Sequence, residues 1–174
     1  LLGIHNVRNS VAAAAVALTV GISVADIKNG LLNFKGVQRR FNKIFTYNEI
    51  DFYDDYAHHP TEIKVVLEGV KKVYKGYDKV IVFQPHRISR LKDLRKEFSF
   101  AFKDANTVIL CPIYTAGEKI SLGFNFLNFA KQIVKNSDVK LFLVNNNNQL
   151  AKFLNKNLYG KKIAESLAGG LVID

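Results

Sequence analysis

Two polar segments contain the side chains best suited to chemistry. One covers residues 54–62 (Asp-Asp-Tyr-Ala-His-His-Pro-Thr-Glu) and the other covers residues 84–90 (Gln-Pro-His-Arg-Ile-Ser-Arg). Within the second, Arg87 and Arg90 are three positions apart at a predicted helix start, so their side chains share one face of that helix. Each guanidinium presents a planar fork of donors that matches a carboxylate or a phosphate. The spacing therefore predicts an anion-binding site.

The predicted elements place both segments at one edge of a sheet. Strands and helices alternate after about residue 36, which is typical of an α/β fold with a doubly wound, mainly parallel sheet flanked by helices. Strands are predicted at 36–45, 49–56, 79–83, 107–113 and 139–144, and helices at about 6–20, 26–34, 59–73, 88–103, 124–135, 149–158 and 162–167. Both polar segments follow strands, and ligands of open parallel sheets bind outside the carboxyl ends of the strands.

The first 36 residues form a separate group. They predict two helices with no strand between them, the first capped by Asn6 and the second beginning near Asp26. We therefore expect a domain boundary near Gly36, with residues 1–36 belonging to a preceding domain and residues 37–174 forming one domain. Because the chain contains no methionine, we also expect it to be a piece of a longer protein.

The sequence contains two pairs of adjacent charged residues, and in each pair one side chain is predicted to face the site while the other points away from it. Asp54 and Asp55 point to opposite sides of an extended strand, so at most one of them faces the site. Arg39 and Arg40 divide in the same way, one reaching a phosphate and the other forming a surface ion pair.

Further polar residues are predicted near the arginines. Tyr56 and His58 would add neutral donors. The loop at 114–118 follows another strand and is expected at the same rim.

Other chemistries are not favoured. His58 and His59 have no third ligand nearby, so two hydrogen-bonded loop residues are a better interpretation than a metal site. Cys111 lies in an apolar strand, where a nucleophile would be hidden. The sequence contains no G-x-x-x-x-G-K-[ST] loop, no G-x-G-x-x-G loop and no G-x-S-x-G elbow. The residues alone indicate an α/β domain with an anion-binding rim, and they do not identify a reaction.

Composition and charge exclude several classes of protein. The 174 residues are 48% hydrophobic and 23% charged, which excludes a disordered or fibrous chain. The single cysteine excludes a disulfide framework and indicates a reducing compartment. A net charge of +10 suits nucleic acid or a small polyanionic substrate. Because the lysines are scattered and the aromatic residues are not interleaved with arginines, we expect no nucleic-acid partner.

The longest apolar run extends from Val11 to Ile22, interrupted by Thr19 and Gly21. It is shorter than the roughly 18 to 20 residues that a bilayer-spanning helix requires, so no membrane segment is expected. With Arg8 in front of it the run also imitates a signal peptide. We favour a buried, alanine-rich helix.

Five motifs occur in order along the chain. They are GIHNVRN (3–9), GVQRRF (36–41), DDYAHHPTE (54–62), QPHR (84–87) with Arg90, and IYTAGE (113–118). Together they closely resemble the Mur ligase family, over about residues 3–144. The DDYAHHPTE and QPHR segments favour the members of that family that join L-alanine to UDP-N-acetylmuramate.

The resemblance implies a cytoplasmic, ATP-dependent ligase of three domains in peptidoglycan precursor synthesis. The first domain binds UDP-N-acetylmuramate, the central domain holds the P-loop and Mg²⁺, and the third contacts ATP and L-alanine as it closes. This chain would supply the last two helices of the central domain (1–36) and the third domain (37–174). Its partners would be the N-terminal and central domains of the same protein. Without the P-loop, the isolated fragment is expected to be inactive.

The same resemblance implies roles for individual residues. Asn6 and Asn9 would lie near the adenine of ATP, Arg40 at the phosphates and Asp55 at the ribose. A second group would frame L-alanine, with the arginines on its carboxylate: Tyr56, His58, His86, Arg87 and Arg90. The expected catalytic residues are Arg40, His58 and Arg87.

Near its end the chain departs from the family pattern. Family members usually carry a last strand followed by a Gly-Ala-Gly-Asp-Ile-like turn, whereas here Tyr159-Gly160 runs directly into the helix predicted at 162–167. We therefore expect both the strand and the turn to be missing. Two alternatives stay open: a murein peptide ligase of the same family, which takes a preformed peptide, and a non-catalytic Mur-like binding or assembly module.

Overall fold

A six-stranded sheet organises the chain, of which a computed structural model describes residues 3–119, 124–160 and 162–168. The helices are α1 (Ile4–Thr19), α2 (Val24–Asn33), α3 (Pro60–Val73), α4 (Ile88–Asp93), α5 (Arg95–Phe100), α6 (Phe126–Ser137) and α7 (Asn147–Asn157). The strands are β1 (Asn42–Tyr47), β2 (Ile50–Asp55), β3 (Asp78–Gln84), β4 (Thr107–Leu110), β5 (Lys140–Leu143) and β6 (Lys162–Ala168).

The strands lie in the order β1-β2-β6-β3-β4-β5. Strand β1 is antiparallel to β2, and every other neighbouring pair is parallel. The prediction of a mainly parallel α/β sheet is therefore confirmed. Because β2 and β3 run in the same direction, the polar segments that follow them emerge at the same edge of the sheet.

Both faces of the sheet are covered, which explains the nearly continuous apolar runs of β3 and β4. The larger cluster packs α3, α5 and α6 on one face, where Phe83, Phe98, Phe102 and Phe129 are fully buried. The smaller cluster packs α7 on the other face, against Val82 and related side chains.

The prediction of a helix at 162–167 was wrong. Residues 162–168 form β6, which pairs in parallel with β2 on one side and with β3 on the other. Alanine, glutamate and leucine favour a helix in isolation. Between β2 and β3, however, the segment can form backbone hydrogen bonds with a parallel strand on each side, and this tertiary environment outweighs the helix propensity. The last strand that we expected to be missing is therefore present. The glycine turn would follow it, outside the described residues.

Strand β6 buries one carboxyl group in the centre of the sheet. Glu165 is 1% exposed, and neither carboxyl oxygen has a hydrogen-bond partner among the described residues. Burial, together with the negative charges of Asp55 and Asp54, raises the pKa of Glu165 well above its ordinary value. Burial thus favours the neutral form of Glu165 relative to a solvated glutamate.

Helices α1 and α2 differ in two ways from expectation. The N-cap of α1 is Gly3 and not Asn6, and α2 begins at Val24, where the side chain of Ser23 accepts a hydrogen bond from the N–H of Asp26 at 3.1 Å. Within this chain neither helix contains a buried residue, so the burial expected for the alanine-rich helix is not found among the described residues. The reason is that other helices cover the sheet faces, while α1 packs mainly against α2.

The helix expected at 88–103 is divided at Leu94 into α4 and α5. Hydrogen bonds continue across the division, from Leu94 N–H to Arg90 O at 3.0 Å and from Phe98 N–H to Leu94 O at 2.9 Å. The division is therefore a local distortion of one hydrogen-bond ladder.

Candidate functional site

Reciprocal hydrogen bonds fix the loop between β2 and α3. The Nδ1 atom of His59 accepts from Thr61 N–H at 3.3 Å. In return, Oε2 of Glu62 accepts from the N–H groups of His58 at 3.1 Å and His59 at 3.2 Å. Burial opposes the ionisation of Glu62, but these two bonds hold the pKa of its carboxyl below the ordinary value. The helix start predicted at residues 59–62 is confirmed, and the capping also fixes the backbone of His58.

A row of rings joins this loop to the end of β3. The ring centroids of Tyr56 and His58 are 5.1 Å apart, those of His58 and His86 are 6.0 Å apart, and those of His86 and Tyr114 are 5.4 Å apart. The two polar segments singled out in the sequence therefore meet, and the loop at 114–118 lies at the same rim.

The arginines begin α4 beside this row. Nη1 of Arg90 lies 3.4 Å from Nδ1 of His86. Burial, followed by the nearby Arg90, His58 and Arg87 side chains, lowers the pKa of His86. A neutral imidazole can accept the Arg90 hydrogen bond. Arg87 is exposed at the N-cap of α4, so both arginines belong to the segment that begins this helix.

A cavity of about 790 Å³ lies between the first two helices and the β2–α3 face. Its polar lining includes Asn6 and Asn9 from α1, Arg40, and Asp55 at the end of β2. These are the four residues expected to contact ATP, and their role stays a prediction. The cavity adjoins the rim because Asp55 precedes Tyr56 in the chain.

Three aromatic residues that the sequence analysis did not single out form one wall of this cavity. The rings of Phe41 and Tyr53 are stacked at 4.2 Å, and the hydroxyls of Tyr53 and Tyr74 are 2.5 Å apart. Burial and the Tyr74 hydrogen bond raise the pKa of Tyr53. Period-two alternation on β2 places Tyr53 on the side of Asp55 and could have identified it. Tyr74 carries no comparable signal.

Both charged pairs are divided, although Arg39 and Arg40 lie in a turn before β1 and not in the strand predicted at 36–45, which begins only at Asn42. Nε of Arg39 lies 3.1 Å from Oδ2 of Asp54 in an ion pair, and its guanidinium also lies over the Tyr56 ring at 4.9 Å. Arg40 and Asp55 instead line the cavity. Asp55 is 2% exposed, and burial raises its pKa despite the hydrogen bonds that it accepts.

Glu118 and Ser89 are also functional candidates that the sequence analysis missed. Both oxygens of Glu118 accept hydrogen bonds from Ser89, at the start of α4. Glu118 belongs to the IYTAGE motif, which was the available signal, but its partner is decided by the fold.

The site contains no second kind of chemistry among the described residues that would compete with anion binding. Within 3–119, 124–160 and 162–168, no group of three or more His, Cys, Asp or Glu side chains is placed to hold a metal ion. Burial raises the pKa of the Cys111 thiol to about 11, so little reactive thiolate forms. None of the described helices combines the length and the apolar character needed to cross a bilayer.

Curated relatives match most of the chain. A UDP-N-acetylmuramate–L-alanine ligase of Pelagibacter ubique is 65% identical over 172 residues, which are 99% of this chain and 37% of that protein. A ligase of the same name from Brachyspira hyodysenteriae is 53% identical over 118 residues, or 68% of this chain and 25% of that protein. The chain thus spans a little over a third of the length of the first of these relatives.

Solved structures and a family model agree with these relatives. The UDP-N-acetylmuramate-alanine ligase MurC of Thermotoga maritima superposes with a TM-score of 0.79 and 27% identity, over 99% of this chain and 36% of that one. A murein peptide ligase of Psychrobacter arcticus shares the fold, with a TM-score of 0.71 and 22% identity over 98% of this chain and 35% of that one. The model of the Mur ligase, glutamate ligase domain matches residues 39–158. The chain therefore belongs to the Mur ligase family.

Proposed function

We propose that the full-length protein containing this chain is an ATP-dependent ligase that joins L-alanine to UDP-N-acetylmuramate, in the cytoplasmic synthesis of peptidoglycan precursors. The observation that carries this proposal is the meeting of His86 and its partner Arg90 with His58, beside a cavity lined by Arg40 and Asp55. Arg87 follows His86 directly in the chain. The 65% identity to a ligase of that name supports the choice of substrates.

The rim is proposed as the L-alanine site. Two guanidiniums bind a carboxylate through parallel charge-assisted hydrogen bonds. The lowered pKa of His86 leaves its imidazole neutral, so it can accept the hydrogen bond of Arg90. Tyr56 and His58 close the other side. Nδ1 of His58 lies 2.9 Å from the carbonyl oxygen of Tyr56. Because a carbonyl only accepts, Nδ1 carries the proton, and Nε2 remains able to accept a proton from the amine of alanine.

The cavity is proposed as part of the ATP site. Its stacked aromatic wall suits an adenine base, with Asn6 and Asn9 as amide partners. Asp55 would accept from the ribose, and Arg40 would reach the phosphates. Mg²⁺ would be bound mainly by the central domain and would stabilise the charge of the phosphoryl oxygens.

In the proposed reaction, the residues of this chain act mainly by positioning the reacting groups and stabilising their charge. Transfer of a phosphoryl group from ATP to the muramate carboxylate forms an acyl phosphate, the amine attacks its carbonyl, and phosphate leaves from the tetrahedral intermediate. Arg40 would stabilise phosphoryl oxygens, while Arg87 would orient the amine by holding the carboxylate. His58 would take the proton that the amine releases.

The domain arrangement is also a proposal. Residues 1–36 would be the last helices of the central ATPase domain, and 37–174 the third domain. The family match at 39–158 supports this boundary, as does the exposed apolar surface of α1 and α2, which a central domain would cover. Closure of the third domain would assemble the site and exclude water.

The test is phosphate release by the full-length protein with ATP, Mg²⁺ and UDP-N-acetylmuramate, with and without L-alanine. Release that depends on L-alanine is the expected result. Release only with a preformed L-alanyl peptide would instead identify a peptide ligase. A folded protein that binds ATP but releases no phosphate with either acceptor would indicate a binding module. The isolated chain is the control and should not hydrolyse ATP.

A further inference from the structure

The carboxylate of Glu118 binds the first turn of α4. Its Oε2 accepts from the N–H of Ser89 at 3.0 Å, and its Oε1 accepts from Oγ of Ser89 at 2.6 Å. Arg87 occupies the N-cap position of α4 and makes no side-chain capping bond. Glu118 therefore supplies, from a distant segment, the acceptor that an aspartate or serine at the N-cap ordinarily supplies.

Arg87 lies between two attachments to the same loop. Before α4, the N–H of Arg87 donates to Tyr114 O at 2.9 Å, and the N–H of Tyr114 donates to Pro85 O at 2.8 Å. After Arg87, Ser89 is bound by Glu118. The loop at 114–118 thus holds the backbone on both sides of Arg87.

The residue so held has an unfavourable backbone conformation. Arg87 has φ of 66°, a value that residues with a side chain rarely adopt. Such a conformation persists only where the surroundings enforce it, and it often marks a functional position. Here it occurs at the N-cap of α4, where Arg87 is exposed.

We propose that Glu118 is a positioning residue, which acts through Ser89 to hold Arg87 in place and thereby sets the affinity for the amino-acid carboxylate. This inference rests on the proposed L-alanine site. Glu118 acts through Ser89, to which both of its carboxyl oxygens are hydrogen-bonded. The Ser89 hydrogen bonds, followed by the N–H of Ile88 and the charge of Arg87, lower the pKa of Glu118, so it stays ionised at neutral pH.

The test uses steady-state kinetics of the full-length protein. For Glu118→Ala we expect KM for L-alanine to rise about tenfold, the size of one lost charge-assisted hydrogen bond. KM for ATP and kcat at saturating L-alanine should change less than about twofold, since the interaction lost acts only on the amino-acid site. Glu118→Gln keeps one oxygen acceptor and should give an intermediate KM. Asp93→Asn, which removes a carboxylate from α4 away from Ser89, is the matched control and should resemble the wild type.

A double variant separates positioning from general loss of structure. If Glu118 acts through Arg87, Glu118→Ala should add almost nothing to the alanine KM of Arg87→Ala. Fully additive effects, or an equal rise in the KM values of ATP and L-alanine, would overturn the proposal. If Glu118→Ala does not fold, Glu118→Gln and Ser89→Ala provide the same comparison.

Amide hydrogen exchange at residues 87–90 provides a readout that does not depend on activity. Faster exchange there in Glu118→Gln, with α7 unchanged, is expected. If the wild-type enzyme is active, and Glu118→Gln changes neither the exchange at residues 87–90 nor the KM for L-alanine, the proposed role of Glu118 is wrong. A wild-type protein with no alanine-dependent turnover would overturn the proposed function instead, and the exchange measurement would then decide whether Glu118 holds Arg87.

Discussion

Oδ2 of Asp55 accepts a hydrogen bond from the backbone N–H of Phe41 at 2.8 Å. Its other oxygen accepts from the N–H of Ala57 at 2.7 Å. Both Arg39 and Phe41 have positive φ, of 59° and 52°. The carboxylate therefore ties a strained segment to the end of β2, and Arg40 lies in that segment.

Asp55→Asn should destabilise the fold more than the neighbouring Asp54→Asn. An amide has a single acceptor oxygen, so one of the two N–H groups loses its partner, and we expect the free energy of unfolding to fall by about 1–3 kcal/mol. Asp54 pairs with Arg39 where both side chains are partly exposed, and its variant should lose no more than about 1 kcal/mol. Urea unfolding of both variants makes the comparison. Equal losses would contradict the structural role of Asp55.

Arg87→Ala should raise KM for L-alanine far more than KM for ATP. The lost guanidinium is one of two proposed partners of the carboxylate, so we expect an increase of about ten- to a hundredfold. Arg87→Lys should recover little, because an ammonium lacks the planar fork of donors. Lys96→Ala, an exposed lysine of α5, is the control for charge. Steady-state kinetics of the full-length protein measures both constants, and equal changes would remove Arg87 from the amino-acid site.

His86 should titrate below the ordinary histidine value of 6.5. Burial and the neighbouring cations favour the neutral form of His86. The contribution of His86 to the free energy of unfolding is therefore higher at pH values above 6.5 than at low pH. This contribution is lost as the pH falls through the lowered pKa. An NMR titration of the His86 ring measures it. Arg90→Gln removes one cation and should move the pKa upward. A pKa for His86 above 6.5 in the wild-type chain would disprove the assignment.

Glu165→Leu should stabilise the fold at neutral pH. The raised pKa means that the folded state holds its proton more tightly than the unfolded state, so stability falls as the pH rises above the ordinary value of 4.5. Leucine removes the buried carboxyl, and we expect a gain of about 1–3 kcal/mol at pH 7. The substitution should also make the free energy of unfolding depend less on pH.

Thermal and urea unfolding between pH 5 and about pH 8 test this expectation. Glu97→Gln, an exposed glutamate in α5, is the control and should leave the profile unchanged. Lower stability of Glu165→Leu at pH 7 would show that the carboxyl has a partner that the fold requires.

Much of the site could be predicted because its chemistry lies in short segments. The helix start at His59 and Pro60 depends on local hydrogen bonds, and alternation along β2 separates Asp54 from Asp55 whatever surrounds them. Parallel strands then bring the 54–62 and 84–90 segments to one edge of the sheet. Each of these relationships follows from periodicity or from fold class.

The tertiary structure decided the features that depend on distant partners. The segment Lys162–Ala168 has helix-forming residues, but it becomes a strand because β2 and β3 leave a slot between them. The Phe41–Tyr53–Tyr74 wall and the Glu118–Ser89 contact join residues far apart in the chain. The sequence alone determined the local elements and the anion-binding residue types, because these depend on neighbours along the chain. The placement of β6, the cavity wall and the support of Arg87 required the fold, because they depend on neighbours in space.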